Sequence, residues 1–89
     1  MRRKANKKKT EERKRRKPYK RFRKVLGKRI QTLRLEENIS QSQLAYETGV
    51  HRDQIGRIER GIQSPSADTL YALSKVFDMP LSELLDFEF

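Results

Sequence analysis

Apolar residues recur at helical spacing from residue 25 onward, and residues 25–89 show no sustained alternation of the kind that marks a strand. Five segments carry this spacing, and they predict helices at about 25–37, 41–48, 51–60, 66–77 and 81–86. Each of these helices is too short to be stable in isolation. The pattern therefore predicts an all-α domain of five helices that depends on packing between them.

Residues that start and stop helices separate the predicted segments. Ser40 is a good N-cap, and Gln43 three residues later completes the pattern of a capping box. Ser66 is predicted to cap the fourth helix in the same way. Gly49 and Gly61 end the second and third helices, because glycine tolerates the left-handed backbone that often follows a helix.

The second and third predicted helices, within residues 41–60, are joined by a very short turn. Such tight coupling needs a small side chain at the helix crossing, which Ala45 supplies, and a left-handed residue in the turn, which Gly49 supplies. It also needs apolar residues that fasten both helices to the rest of the domain, and these are Leu44, Val50, Ile55 and Ile58. The combination predicts a helix-turn-helix.

Residues 25–86 resemble the five-helix DNA-binding domain of phage Cro and repressor proteins, the XRE-type group. The strings that carry the resemblance are SQSQLA, the IERG ending of the third helix, and SPSADTL. The resemblance implies a third helix in the DNA major groove and a dimer on a palindromic operator. The same group contains the small controller proteins of restriction–modification systems, to which the string GRIERG is similar.

The third helix carries the predicted base contacts. On a helical wheel Ile55 and Ile58 point to the core, so the polar residues occupy the outer face and its flanks. Arginine can contact guanine, glutamine adenine, and a carboxylate can accept from cytosine or hold an arginine one turn later. A charged outer face on an isolated helix is usually only solvated. Within a helix-turn-helix we predict base contacts from Arg52, Asp53, Gln54 and Arg57.

Four further residues are predicted to contact phosphates. Gln41 begins the second helix, where free backbone N–H groups and the helix dipole favour an anion, and the resemblance implies that it grips the DNA backbone. Arg60 and Ser64 lie at and beyond the end of the third helix. His51 lies at a predicted helix N-terminus, where the dipole disfavours a charged imidazole, so it is interpreted as a neutral hydrogen-bonding group near a phosphate. Metal binding is not expected, since no second ligand lies nearby.

Glu59 and Gly56 do not fit a simple DNA-facing surface. Glu59 lies toward the core side of the wheel, and DNA would repel a carboxylate, so an internal partner is expected. The resemblance implies that this partner is Arg34 in the first helix. Gly56 falls near the outer face, and two interpretations stay open. It allows the backbone to approach the groove closely, or it is merely tolerated at a cost of ~0.5–1 kcal/mol.

The last predicted helix follows Pro80 and is rich in apolar residues. Some of them complete the core, and the others need a partner to cover them. The resemblance implies that this end of the domain forms the two-fold contact of a homodimer. The predicted dimer residues are Leu81, Leu84, Leu85 and Phe87.

Charge is distributed unevenly along the 89 residues, whose formal net charge is +10. Residues 1–24 hold 15 Lys and Arg but two acidic residues, whereas residues 25–89 are net negative at −3. The first part is too poor in apolar residues to form a core, so we predict a disordered basic arm at 1–24 and a DNA-binding domain at 25–89. The arm is expected on DNA phosphates or in the minor groove, and a purely solvated tail remains the alternative.

Composition excludes several other classes of protein. The chain has no cysteine and one histidine, so it contains neither disulfides nor a thiolate or multi-histidine metal site. It shows no apolar run of membrane-spanning length and no secretory signal. No catalytic constellation is visible, so neither an enzyme, a cofactor nor a small-molecule ligand is predicted. We expect a cytoplasmic protein of bacterial or phage origin that binds double-stranded DNA. An antitoxin-like partner binder and an RNA binder driven by the arm remain alternatives.

Overall fold

The computed structural model describes residues 17–88, and this part of the chain folds into five helices without a strand. The helices are α1 (Tyr19–Glu36), α2 (Gln41–Thr48), α3 (Arg52–Glu59), α4 (Ala67–Val76) and α5 (Leu81–Leu84). The predicted all-α architecture is confirmed. The predicted limits of α2, α3 and α4 hold to within one residue, and α5 ends two residues before the predicted position.

The first helix begins at Tyr19, six residues earlier than predicted, so the predicted start of α1 at residue 25 was wrong. The N-terminal turns of α1 are held by tertiary contacts. Phe22 packs against the core, and its ring centroid lies 5.9 Å from that of Phe87. Lys24 lies against Gly61, whose backbone is left-handed at φ +79°. Residues 1–16 of the predicted arm lie outside the described residues.

The core is built where all the helices meet. α3 packs against α1 and α2, α2 also packs against α4, and α4 packs against α5. The buried apolar side chains are Leu26, Ile30, Leu33, Leu44, Ala45, Ile55, Ile58, Leu73, Phe77 and Leu84. Ile55 and Ile58, which the helical wheel directed toward the core, belong to this set, so that prediction is confirmed.

α1 approaches the C-terminal end of α3 closely at Gly27. A Cβ atom at this position would lie 2.2 Å from the carbonyl oxygen of Ile58 and 2.7 Å from that of Glu59. Both neighbours are backbone atoms and cannot rotate away. Gly27 therefore sets the distance between α1 and α3, a role that the sequence analysis did not identify.

The predicted N-caps of α2 and α4 are formed. The backbone N–H of Gln43 donates to Ser40 Oγ at 3.0 Å, and that of Thr69 donates to Ser66 Oγ at 3.1 Å. The reciprocal half of the capping box is absent, because the Gln43 side chain donates to Glu47 instead. The caps thus fix where both helices begin.

Arg29 fastens the short α5 to α1. Its Nε donates to the carbonyl oxygen of Leu84 at 3.2 Å, and its Nη2 donates to that of Glu83 at 2.8 Å. Carbonyls at the end of a helix lack partners within it, and a cation there also interacts favourably with the helix dipole. A four-residue helix, which has little stability of its own, is held in place in this way.

Candidate nucleic-acid interface

The third helix presents a polar surface opposite its buried apolar residues. Ile55 and Ile58 are buried, whereas the predicted base-contacting residues Arg52, Asp53 and Arg57 are exposed. Gln54 is half-buried at the edge of this surface. The four residues predicted to contact bases therefore lie on the exposed side of α3 or at its edge, as the helical wheel predicted. Their contacts with bases remain a prediction.

Arg57 is held by a residue that the sequence analysis did not single out. Its Nε donates to Gln63 Oε1 at 2.6 Å, across the turn that follows α3. The predicted alternative, in which Asp53 holds Arg57, does not occur. The bond to Gln63 uses Nε and leaves both terminal nitrogens of the guanidinium for another acceptor. Only the turn after α3 brings the two side chains together, so no spacing rule within the helix reveals the pair.

The predicted phosphate-contacting residues surround the two ends of α3. His51 is exposed at the N-cap of α3 and makes no side-chain capping bond, while Arg60 and Ser64 are exposed beyond its C-terminal end. Gln41 is half-buried, and its Nε2 donates to Glu59 Oε1 at 2.9 Å. This bond fixes Gln41 at the first turn of α2, where backbone N–H groups favour an anion. The phosphate contacts of all four residues remain a prediction.

The predicted pairing of Arg34 with Glu59 is confirmed. Arg34 Nε donates to Glu59 Oε2 at 2.7 Å, and its Nη2 donates to Oε1 at 3.1 Å, which makes the pair bidentate. The third nitrogen of Arg34 donates to the carbonyl oxygen of Ile39 at 2.9 Å. The Glu59 side chain is 1% exposed and that of Arg34 is 10% exposed. The buried charges are therefore paired and hydrogen-bonded, and they join α1 to α3 and to the turn before α2.

The helical wheel placed Gly56 near the outer face of α3, but the structure does not leave it open there. The residue is buried, and a Cβ there would lie 3.2 Å from Arg60 Nη1 and 3.8 Å from Gln41 Oε1. Two flexible polar side chains therefore lie over this glycine. The interpretation that Gly56 lets the α3 backbone approach the DNA groove closely stays a prediction, and in this conformation the ends of those two side chains would have to move aside for it.

The two residues predicted to make the helix-turn-helix possible have the expected roles. Ala45 is buried in the core beside α3. Gly49 adopts φ +76° at the end of α2, and its N–H donates to the carbonyl oxygen of Ala45 at 2.9 Å. A side chain in this left-handed region would be strained. α2 and α3 thereby meet through a turn of three residues.

The predicted dimer residues differ in their exposure. Leu84 is fully buried in the core, so its assignment to a dimer interface was wrong: the short α5 directs this side chain inward to pack with the other helices. Leu85 and Phe87 are half-buried and pack against the core. Leu81 is 37% exposed and remains available to a partner.

No helix in the described part of the chain is long and apolar enough to cross a membrane. Residues 17–88 also hold no group of three or more His, Cys, Asp or Glu side chains placed to bind a metal ion.

The paired helices α2 and α3, with the polar surface of α3 exposed, define a helix-turn-helix DNA-binding domain. The sequence model of the helix-turn-helix family matches residues 30–84, and the chain belongs to this family.

Relatives of the chain agree with this assignment. The chain is 38% identical over 64 residues to the control protein C.BamHI of Bacillus amyloliquefaciens, covering 71% of this chain and 79% of the relative. It is also 38% identical over 63 residues to the transcriptional regulator SinR of Bacillus subtilis, covering 70% of this chain and 57% of that regulator. The structure is similar to the crystal structure of the restriction-modification controller protein C.AhdI from Aeromonas hydrophila. That match has a TM-score of 0.63 and 32% identity, and covers 66% of this chain and 89% of the other. The resemblance to controller proteins is thereby confirmed.

Proposed function

We propose that this protein is a sequence-specific transcriptional regulator that binds a palindromic DNA operator as a homodimer and inserts α3 into the major groove. The observation that carries the proposal is the exposed polar surface of α3. On one side of this surface Gln41 is hydrogen-bonded to Glu59, and on the other side Gln63, in the turn after α3, holds Arg57. The similarity to the control protein C.BamHI and the transcriptional regulator SinR supports regulation of transcription.

Base recognition is assigned to the exposed residues of α3. Arg57 is suited to a bidentate contact with guanine, because Gln63 holds its Nε and both terminal nitrogens stay available. Arg52 is the second candidate for guanine, Asp53 suits cytosine, and Gln54 suits adenine. Each good bidentate contact contributes ~1–3 kcal/mol of discrimination against a wrong base.

Phosphate contacts position the domain without reading sequence. We assign them to Gln41, His51, Arg60 and Ser64, which lie around the ends of α3. Glu59 keeps Gln41 in place through the 2.9 Å hydrogen bond, so the buried Arg34–Glu59 pair supports the DNA contact as well as the fold.

A homodimer matches the two-fold symmetry of a palindrome. We place the two-fold contact on the α5 end, where Leu81 is exposed and Leu85 and Phe87 are partly exposed. Half-sites one helical turn apart, about 34 Å, would then each receive one α3.

The test is selection of binding sites from random duplex DNA with the full chain. We expect a palindrome with half-sites about one turn apart. Arg57→Ala should lose preference at one symmetric pair of positions, by ~1–3 kcal/mol in the affinity difference between bases. The control is Lys75→Ala on α4, which removes one exposed charge away from α3 and should retain the same motif. Folded protein that enriches no motif, or an Arg57 variant with an unchanged motif, would contradict the proposal.

A further inference from the structure

The N-terminal half of α1 carries an unneutralised row of cations. Lys20, Lys24 and Lys28 follow one another at four-residue spacing, and Arg21 lies three residues before Lys24, so the four residues share one side of the helix. All four are exposed. α1 has no acidic residue before Glu36. Within residues 17–88 the ion pair found is Arg34–Glu59, so none of the four cations is paired with a carboxylate there. We call Lys20, Arg21 and Lys24 the α1 ridge.

The α1 ridge lies beside the C-terminal end of α3, the helix proposed to contact the bases. A Cβ on Gly61, two residues after α3, would lie 2.8 Å from both Cα and Cγ of Lys24. One turn further along α1, a Cβ on Gly27 would lie 2.2 Å from the carbonyl oxygen of Ile58 in α3. The Lys24 end of the ridge therefore borders the turn that leads from α3 to Ser64, one of the predicted phosphate contacts.

These turns of α1 are docked on the domain. Phe22 is half-buried next to Phe87, and Lys24 lies against Gly61. Within α1 itself, the guanidinium of Arg23 lies over the Tyr19 ring at 4.8 Å from its centroid. These contacts hold the first turns of α1 in place, while the side chains of the ridge stay exposed. Because the helix is docked, the ridge has a fixed position relative to α3.

We propose that the α1 ridge is a second DNA-binding surface, which contacts backbone phosphates of duplex DNA immediately outside the half-site read by α3. The proposal rests on the proposed function and adds to it the residues and place of a flanking contact. Residues 19–24 add a helix length of about 9 Å. Phosphates of one strand recur about every 3.4 Å along the DNA axis, so a helix of this length laid along that axis passes two or three of them. Three cations over this length match that number of phosphates.

The first experiment measures how DNA affinity depends on salt, using the full chain and a duplex of arbitrary sequence. The triple variant Lys20→Gln, Arg21→Gln, Lys24→Gln removes the charges while the stem of residue 24 still packs on Gly61. The slope of log affinity against log salt should become shallower by about 0.9 per lost contact, or roughly 2–3 per protomer. For a matched control at equal net charge, Lys24→Gln is compared with Lys75→Gln on α4. The first should reduce the slope and the second should not.

The second experiment locates the contact on the selected operator by phosphate-ethylation interference. Ethylation of discrete phosphates outside each half-site should weaken binding of the parent protein and have no effect on the triple variant. The proposal would be overturned if the triple variant unfolded at the same temperature as the parent and kept the parent's salt slope. Interference confined to the phosphates beside α2 and α3 would also overturn it. So would a triple variant whose salt slope changed on RNA but not on duplex DNA.

The two proposals fail in different ways. Absence of any selected operator contradicts the proposed function, and the salt slope on arbitrary duplex DNA still decides on the ridge. A selected operator together with an unchanged slope leaves sequence reading by α3 intact and rejects the ridge.

Discussion

The buried pair of Arg34 and Glu59 allows a quantitative test of how this small domain is held together. Arg34→Met keeps most of the side-chain volume but removes both donors to Glu59 and the donor to the Ile39 carbonyl. The Glu59 carboxylate, 1% exposed, would keep one side-chain donor, the amide of Gln41. Removing one partner of such a buried pair costs about 3–5 kcal/mol.

This cost is large compared with the stability of the domain. A single core of this size supplies about 3–5 kcal/mol of net stability. For a domain of 60–100 residues, 1 kcal/mol corresponds to a shift in Tm of about 4–8 °C, so the expected loss is at least roughly 12 °C. We therefore expect Arg34→Met to be partly or wholly unfolded near room temperature.

The assay is a double-mutant cycle followed by circular dichroism during thermal and urea unfolding. Glu59→Leu should also destabilise strongly, because it leaves the guanidinium of Arg34 without its partner. The double variant Arg34→Met, Glu59→Leu removes both charges, so it should be more stable than either single variant. A Tm within 2 °C or so of the parent for Arg34→Met, or single costs that simply add in the double variant, would refute the reasoning.

Three further predictions follow from burial and close approach. Gly27→Ala should lower stability by ~1–3 kcal/mol, because its Cβ would overlap a backbone oxygen of α3 at 2.2 Å, and a Tm equal to the parent's would contradict this. Gly56→Ala, also within a helix, should instead raise the free energy of unfolding by the ~0.5–1 kcal/mol that glycine costs a helix, since only the flexible side-chain ends of Arg60 and Gln41 lie near its Cβ. The same variant should bind operator DNA more weakly as Arg60 shifts, and unchanged affinity would show that Arg60 makes no phosphate contact. Leu81→Asp should dissociate the proposed dimer in analytical ultracentrifugation without loss of helicity, and a dimer of unchanged affinity would exclude Leu81 from the interface.

Local features of the sequence were enough to predict the helices and the class of the fold. Helical spacing located α2, α3 and α4, and Ser40 and Ser66 marked two of their starts. These features act over three or four residues, through capping hydrogen bonds and through the side of a helix that is buried, so they can be read along the chain. The candidate reading surface on α3 follows from the same periodicity, once Ile55 and Ile58 define the inward side. The pairing of Arg34 with Glu59 came from family resemblance, because no local rule joins residues 25 positions apart.

The tertiary structure decided the features that depend on contacts between distant parts of the chain. Phe22 and Lys24 lie in a strongly basic segment, and α1 extends through them because Phe87 and Gly61 pack there. Leu84 is buried instead of lying at an interface, since the short α5 turns it toward the core. Arg57 is positioned by Gln63 across a turn, which no helical wheel can show. Side chains of similar sequence pattern can be buried, exposed or docked, and which of these occurs depends on the elements that pack against them.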